Sequence, residues 1–155
     1  MDISSLIIRD ANQKDVNVLL KLLKLLFSIE KDFKFDITRQ SHGLNMMLDG
    51  CGKHRCVKVA DINGLVVGMA TAQTLISTAE GGISVVVEDM AVSLDWQGRG
   101  VGKRLLENIT QWAQNRNAVR LSLLTDKDNT AALDFYDHIG WSKTSLICLH
   151  KKSHT

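Results

Sequence analysis

The sequence predicts a mixed α/β (α+β) domain, with a mostly antiparallel central sheet, one parallel strand pair and flanking helices. Three observations predict it. Alternating apolar runs on either side of Asn63-Gly64 read as a β-hairpin, because Asn-Gly accepts the positive φ angles of a tight turn. The apolar run Ile83–Val92 leads through Gly98, Gly100 and Gly102 into a segment with helical apolar spacing, and then into a second apolar run, Ala118–Leu124. Strand, helix and strand in that order imply a parallel, right-handed crossover. At 155 residues, 45% of them hydrophobic, the chain is long enough for one buried core and short for two, so residues 1–155 read as a single domain.

Taken in order, Leu6-Ile7-Ile8-Arg9 is a first strand. Asp10 is placed to cap the helix that follows, with Gln13 three residues on, in the manner of a capping box. That helix runs from Asn12 to Glu30. Val16, Leu19, Leu20, Leu23, Leu26 and Phe27 form one stripe, and Val18, Leu22, Leu25 and Ile29 widen the apolar arc. An arc this wide implies burial beneath neighbouring elements or, as the alternative, the contact of a homodimer. A second helix is expected over Thr38–Leu48, ending near Gly50. Phe33, Phe35, His42, Met46 and Met47 in this region either line a variable acceptor site or pack between helices. His54–Ala60 and Leu65–Ser77 are the hairpin arms, with Gly68 suggesting a bulge. Thr78–Gly82 turns the chain into the strand Ile83–Val92.

The helix after the glycines carries Val101, Leu105, Ile109, Trp112 and Ala113 on one face and ends near Arg116-Asn117. Ala118–Leu124 is the next strand. Asp128 or Asn129 starts a helix that closes at Gly140, and Trp141–His150 alternates into a last strand.

Composition excludes several function classes. Nineteen basic and seventeen acidic residues are interspersed and leave a net charge of +2, so a nucleic-acid face has no support. No apolar run reaches the roughly 18 residues of a membrane span, and the polar start Met1-Asp2-Ile3-Ser4-Ser5 is not a signal peptide. The three cysteines are no disulfide framework. Cys51, His54 and Cys56 lack the second ligand cluster of a zinc site, so no metal is expected. His42, His138, His150 and His154 are isolated. The expectation is a soluble, cytoplasmic protein.

The stretch from Val87 to Leu106 carries the chemistry. A strand ending in Glu88-Asp89, followed by glycines and a helix, aims free backbone N–H groups and the positive end of a helix dipole at one place. Glycines let a ligand approach the main chain, and the ligand so invited is an anion such as a pyrophosphate. A nucleotide-hydrolysing P-loop is excluded, because Gly102-Lys103 is followed by Arg104 rather than a hydroxyl residue. The dinucleotide fingerprint fails on the spacing of Gly98, Gly100 and Gly102. Gln97-x-x-Gly100-x-Gly102 instead resembles the phosphate-loop signature of the GNAT N-acetyltransferase family. A second match lies downstream, where Asn129, Ala132, Phe135, Tyr136, Gly140 and Trp141 fit that family's C-terminal pattern. The resemblance runs from about Leu6 to His150 and implies the acetyl-CoA acyltransferase (GNAT) fold.

It also implies the cosubstrate, acetyl-CoA, and roles for particular residues. Gln97, Gly98, Arg99, Gly100, Val101, Gly102 and Lys103 would hold the pyrophosphate, with charge from Lys103 or Arg104. The main chain of Met90, Ala91 and Val92 would pair with the pantetheine arm, and the Met90 N–H would serve as oxyanion donor. Asn129 would bind the CoA arm and Tyr136 would protonate the leaving thiolate. Glu88 and Asp89 are the candidates for taking the proton of an attacking amine. Strand alternation puts them on opposite faces, and Glu88 is the preferred one. The acidic pair also resembles that of glucosamine-6-phosphate N-acetyltransferases, a likeness too short to name the sugar. The function implied is acetyl transfer to a primary amine of a small molecule. The alternatives are acetylation of protein N-termini or lysines, and a catalytically silent acetyl-CoA-binding module.

Overall fold

The computed structural model describes residues 2–50 and 52–153. Met1, Cys51 of the Cys51, His54 and Cys56 group, and His154 lie outside the described residues. The chain forms two compact units, Met1–Leu124 and Thr125–Thr155.

The first unit holds a five-stranded sheet in sequence order: β1 (Leu6–Asp10), β2 (Arg55–Ile62), β3 (Leu65–Ser77), β4 (Gly82–Val92) and β5 (Arg120–Leu123). Neighbouring strands are antiparallel except β4 and β5, which are parallel. Helices α1 (Val16–Ile29) and α2 (Ile37–Leu48) join β1 to β2, and α3 (Val101–Gln114) is the crossover from β4 to β5. The β2–β3 turn rests on Asn63 and Gly64, whose φ angles are 52° and 89°. This left-handed pair matches the twist of the flanking strands.

The two faces of the sheet are packed differently. Val57, Val59, Met69 and Ala91 pack with Leu19, Leu20, Leu22 and Leu23 of α1 and Leu44 of α2. Burial beneath the sheet thus accounts for the middle of the broad arc on α1. Residues of one strand alternate between faces, so Gly68, Ala70 and Ala72 turn toward α3. A Cβ at Gly68 would stand 3.2 Å from Leu105 Cδ1 and 3.3 Å from Val101 Cγ1. Close approach of the helix explains this glycine. The extra residue in the β2–β3 ladder is its neighbour Val67, since Ala60 pairs with Gly68 and Asp61 with Val66.

The start of α1 differs from the sequence expectation. Asn12, not Asp10, is the side-chain cap, and it caps the 3₁₀ turn that precedes α1: it accepts the Lys14 N–H at 2.9 Å, and its own N–H donates to Asp15 Oδ2 at 2.8 Å. Asp10 remains in β1 and pairs with Lys58 at 2.7 Å. A short 3₁₀ turn, Gln13–Asp15, leads into the helix. Arg9 ties this corner to the sheet, reaching both oxygens of Asp15 at 2.9 and 3.0 Å and Asp61 at 2.8 Å. The hydrogen bonds from Arg9 hold the Asp15 carboxyl below the usual carboxylate range.

In the second unit, α4 (Thr130–His138) begins at its cap Asn129 and closes at Gly140, whose φ is 94°. The strand expected over Trp141–His150 is not formed; that backbone is irregular. Leu146, Ile147 and Leu149 are 83, 83 and 84% exposed, so alternation there meets no core. The Leu146 N–H goes instead to Thr144 Oγ1 at 3.3 Å, a local bond of the kind that competes with a strand ladder.

Candidate active site

Strand β4 outruns β5. The two pair only over Ser84–Val87 against Arg120–Leu123, while β4 continues to Val92. Beyond Val87 it keeps β3 on one side, and its other edge has no ladder partner among the described residues. Asp89 donates its N–H to Thr71 Oγ1 at 3.1 Å, and Ser93 donates to the Val67 carbonyl at 2.8 Å. Both bonds point at β3. Main-chain groups of successive strand residues are directed to alternate sides, so the N–H groups of Met90 and Val92 face the open edge. Gln97 folds back, donating from Nε2 to the Val92 carbonyl at 2.9 Å, and closes the far end of that edge.

The acidic pair sits on a β-bulge. Thr71 pairs with Asp89 and Ala72 with Val87, which leaves Glu88 as the extra residue. The bulge inverts the parity of the strand. Val85 and Val87 face α3, and simple alternation would send Asp89 there too. Instead Asp89 joins Thr71 and Ala91 on the face covered by α1 and α2. Glu88 is exposed and Asp89 is partly buried. The Thr71 hydroxyl donates to Asp89 Oδ2 at 2.7 Å. Burial pushes the Asp89 carboxyl above the usual range; the Thr71 hydrogen bond opposes this and the Glu88 charge adds to it.

A 3₁₀ turn, Leu94–Trp96, carries the chain from β4 to the glycine loop. Gly98 and Gly100 have φ angles of 70° and 84°, and a Cβ on either would meet nothing within 4 Å. The space above the loop is open. The Arg104 N–H bonds to the Gly100 carbonyl at 3.1 Å. The amides of Val101, Gly102 and Lys103 therefore lie ahead of the first helical bond and face out of the helix end. Side chains around them have partners of their own. Arg99 donates to the Asp95 carbonyl at 3.0 Å, and Lys103 lies 3.8 Å from Glu107. Arg104 reaches the Leu6 carbonyl at 2.7 Å, so its charge serves β1.

Asn129 and Tyr136 belong to the second unit, on one helix. Asn129 Oδ1 accepts the Ala132 N–H at 3.1 Å, which commits the carbonyl oxygen to the helix cap. The Tyr136 ring packs edge-on against Phe135 at 5.2 Å and lies 6.0 Å from Trp141.

Residues 21–141 match the model of the Acetyltransferase (GNAT) family. The chain belongs to that family. A relative in Bacillus subtilis, the uncharacterized N-acetyltransferase YobR, is 34% identical over 73 residues, 44% of this chain and 30% of that protein. The probable N-acetyltransferase camello of Xenopus tropicalis is 24% identical over 102 residues, 66% of this chain and 45% of its own length. The chain thus spans less than half of these curated relatives. Solved structures share the GNAT fold. A possible acetyltransferase from Clostridium difficile 630 superposes with a TM-score of 0.84 at 16% identity, covering 98% of this chain and 100% of the other. The aminoglycoside N-acetyltransferase AAC(6')-Iy, solved with CoA, gives 0.80 at 19% identity, covering 96% and 95%. An aminoglycoside acetyltransferase from a soil metagenome, meta-AAC0020, solved with trehalose, gives 0.78 at 22%, covering 99% and 100%.

One residue beside the acidic pair lies outside every sequence motif. Thr71 faces Asp89 from β3, buried to 1% exposure. Its signal is a lone hydroxyl near the end of the otherwise apolar run Val66–Ala72. Among the described residues no helix is long and apolar enough to cross a membrane.

Proposed function

We propose that this domain transfers the acetyl group of acetyl-CoA to a primary amine of a small molecule. The observation that carries this reading is the open edge of β4 running into an uncluttered glycine loop. An extended chain can add to such an edge as a further strand would, exchanging main-chain hydrogen bonds. In this reading Met90, Ala91 and Val92 hold the pantetheine arm, and the amides from Gly98 to Lys103 hold the pyrophosphate. The residues present fit the group, since both loop glycines leave room for it. That two neighbours in fold are named aminoglycoside acetyltransferases, one of them solved with CoA, supports an amine acceptor of small size.

The chain's own groups then divide the chemistry. The Met90 N–H, aimed at the open edge, steadies the charge that gathers on the thioester oxygen; one such donor contributes roughly 3 kcal/mol. An alkylammonium has a pKa near about 10 and attacks only after losing its proton. We assign the base to Asp89 rather than to Glu88, the residue preferred from the sequence. A carboxylate lifted above its usual range by burial is the stronger base. Its place on the face of α1 and α2 also directs it to the side of the Phe33 and Phe35 segment. Glu88, exposed beside it, attracts the acceptor ammonium. Tyr136 gives its proton to the departing thiolate, and the Asn129 amide group donates to the CoA arm.

Thiol release from acetyl-CoA across a panel of primary amines, with mass spectrometry of the products, tests the function. Acetylated product is expected with some small amines. Tight acetyl-CoA binding without turnover on any amine, peptides included, would instead make this a silent binding module.

A further inference from the structure

We propose that Thr71 is the positioning residue for Asp89, tying down one carboxylate oxygen and leaving the other to take the acceptor's proton. The inference rests on the reading of Asp89 as the base. Its physical content is the bulge. An extra residue in β4 breaks the ladder beside Asp89 and would leave a main-chain N–H without a backbone partner. The Thr71 hydroxyl fills that position, accepting from the Asp89 N–H at 3.1 Å. A hydroxyl has one donor besides its acceptor sites, and Thr71 directs its proton to Asp89 Oδ2 at 2.7 Å. Backbone amide, hydroxyl and carboxylate of facing residues thus form a closed ring. The ring fixes the side-chain torsions of Asp89, and Oδ1 is the oxygen outside it.

Thr71 is itself immobile, since it is fully enclosed and its β-branched side chain holds few rotamers. Among the described residues no charged side chain bonds to Asp89. Glu88 is the charged group that acts on Asp89. β3 faces it with Thr71, and α1 turns Leu19, Leu22 and Leu23 inward while Lys21 and Lys24 remain exposed. The hydroxyl thus opposes the upward push of burial on this carboxyl.

The test compares Thr71→Val, which keeps the shape and deletes the hydroxyl, with Thr71→Ser, which keeps the hydroxyl. Two quantities are read: the acid limb of the kcat/KM profile, and the pH titration of the Asp89 carboxyl carbon by NMR in the free protein. With valine, both midpoints are expected to move to higher pH by about half a unit to one unit, and kcat/KM at neutral pH to fall about 10-fold. Acetyl-CoA affinity is expected to hold, and serine to restore both midpoints. Thr71→Ala makes the same deletion should valine distort the bulge. An unmoved Asp89 titration in the hydroxyl-free variants, or a serine variant that behaves like valine, would overturn the proposal. Asp89→Asn separates this from the base assignment: if that variant keeps the acid limb, Asp89 is not the base. The NMR titration then still reports whether Thr71 holds it.

Discussion

Gly100→Ala separates the folding role of the loop from its binding role. Gly100 has φ of 84°, and an alanine Cβ would meet nothing within 4 Å. The cost to folding is therefore the left-handed conformation alone, about 1–2 kcal/mol for an L residue. For a chain of this length that lowers Tm by roughly 2–8 °C. Binding faces a different cost. In the proposed placement, a methyl group in the open space over the loop would occupy the volume where the pyrophosphate meets the amides. Loss of one charge-assisted hydrogen bond there, about 1.5–3 kcal/mol, weakens affinity roughly 10- to 150-fold. Calorimetric titration with CoA, with a thermal melt of the same sample, reads both. Gly98→Ala, where φ is 70° and the space equally open, is expected to give a similar result. A folded variant that binds CoA like the wild type would refute placement of the pyrophosphate on this loop.

Further outcomes follow from the acidic pair, the second unit and the Arg9 corner. Asp89→Asn is expected to lower kcat by about 10²- to 10⁴-fold and abolish the acid limb of the rate profile, with Glu88→Gln much milder. The same Asp89→Asn protein is expected to melt higher at pH 7. A carboxyl with a raised native pKa binds more protons folded than unfolded, so stability falls as pH rises from about 3.8 through the native value; the variant's advantage vanishes below that window. Tyr136→Phe is expected to reduce kcat by about 10- to 10³-fold with acetyl-CoA affinity intact; a matched loss of affinity would make Tyr136 part of the pocket wall instead. Arg9→Met leaves Asp15 and Asp61 without their shared cation and is expected to cost about 3 kcal/mol in chemical denaturation, with CoA affinity unchanged. Asp15 has a depressed native pKa, so its contribution is present above about pH 3.8 and is lost on acidification; the gap between wild type and variant narrows there.

Where local chemistry decided the structure, the sequence could be read. Asn63-Gly64 permits few conformations besides its turn, and the glycines at 98, 100 and 102 announced a strand-to-helix loop that an anion could approach. What escaped was set by long-range pairing. That the bulge falls at Glu88 depends on the register between β3 and β4, and the run Val85-Val86-Val87-Glu88-Asp89 carries no local mark of its place. For the same reason the contact of Thr71 with Asp89, eighteen residues away, had no local signature. Asp10 and Asn12 are both good caps, and the choice fell to Asn12 because Asp10 is held in β1 by Lys58. The tail after Trp141 has the pattern of a strand, yet a strand requires a ladder partner and a covered face, and alternation supplies neither. The acceptor is the least legible part, because a small-molecule pocket is a shape made jointly by side chains distant in sequence, and no motif encodes it.

Amide hydrogen exchange by NMR, with and without CoA, tests the placement of the cosubstrate most directly. Along β4 the bonds of Asp89 and Ser93 point to β3, and the amides between them alternate. Added CoA is therefore expected to slow exchange at Met90 and Val92 and at the loop amides from Gly100 to Lys103. Asp89, Ala91 and Ser93 should change little. Unchanged exchange at Met90 and Val92 with CoA bound, or equal protection along all of β4, would contradict the open edge as its binding strand.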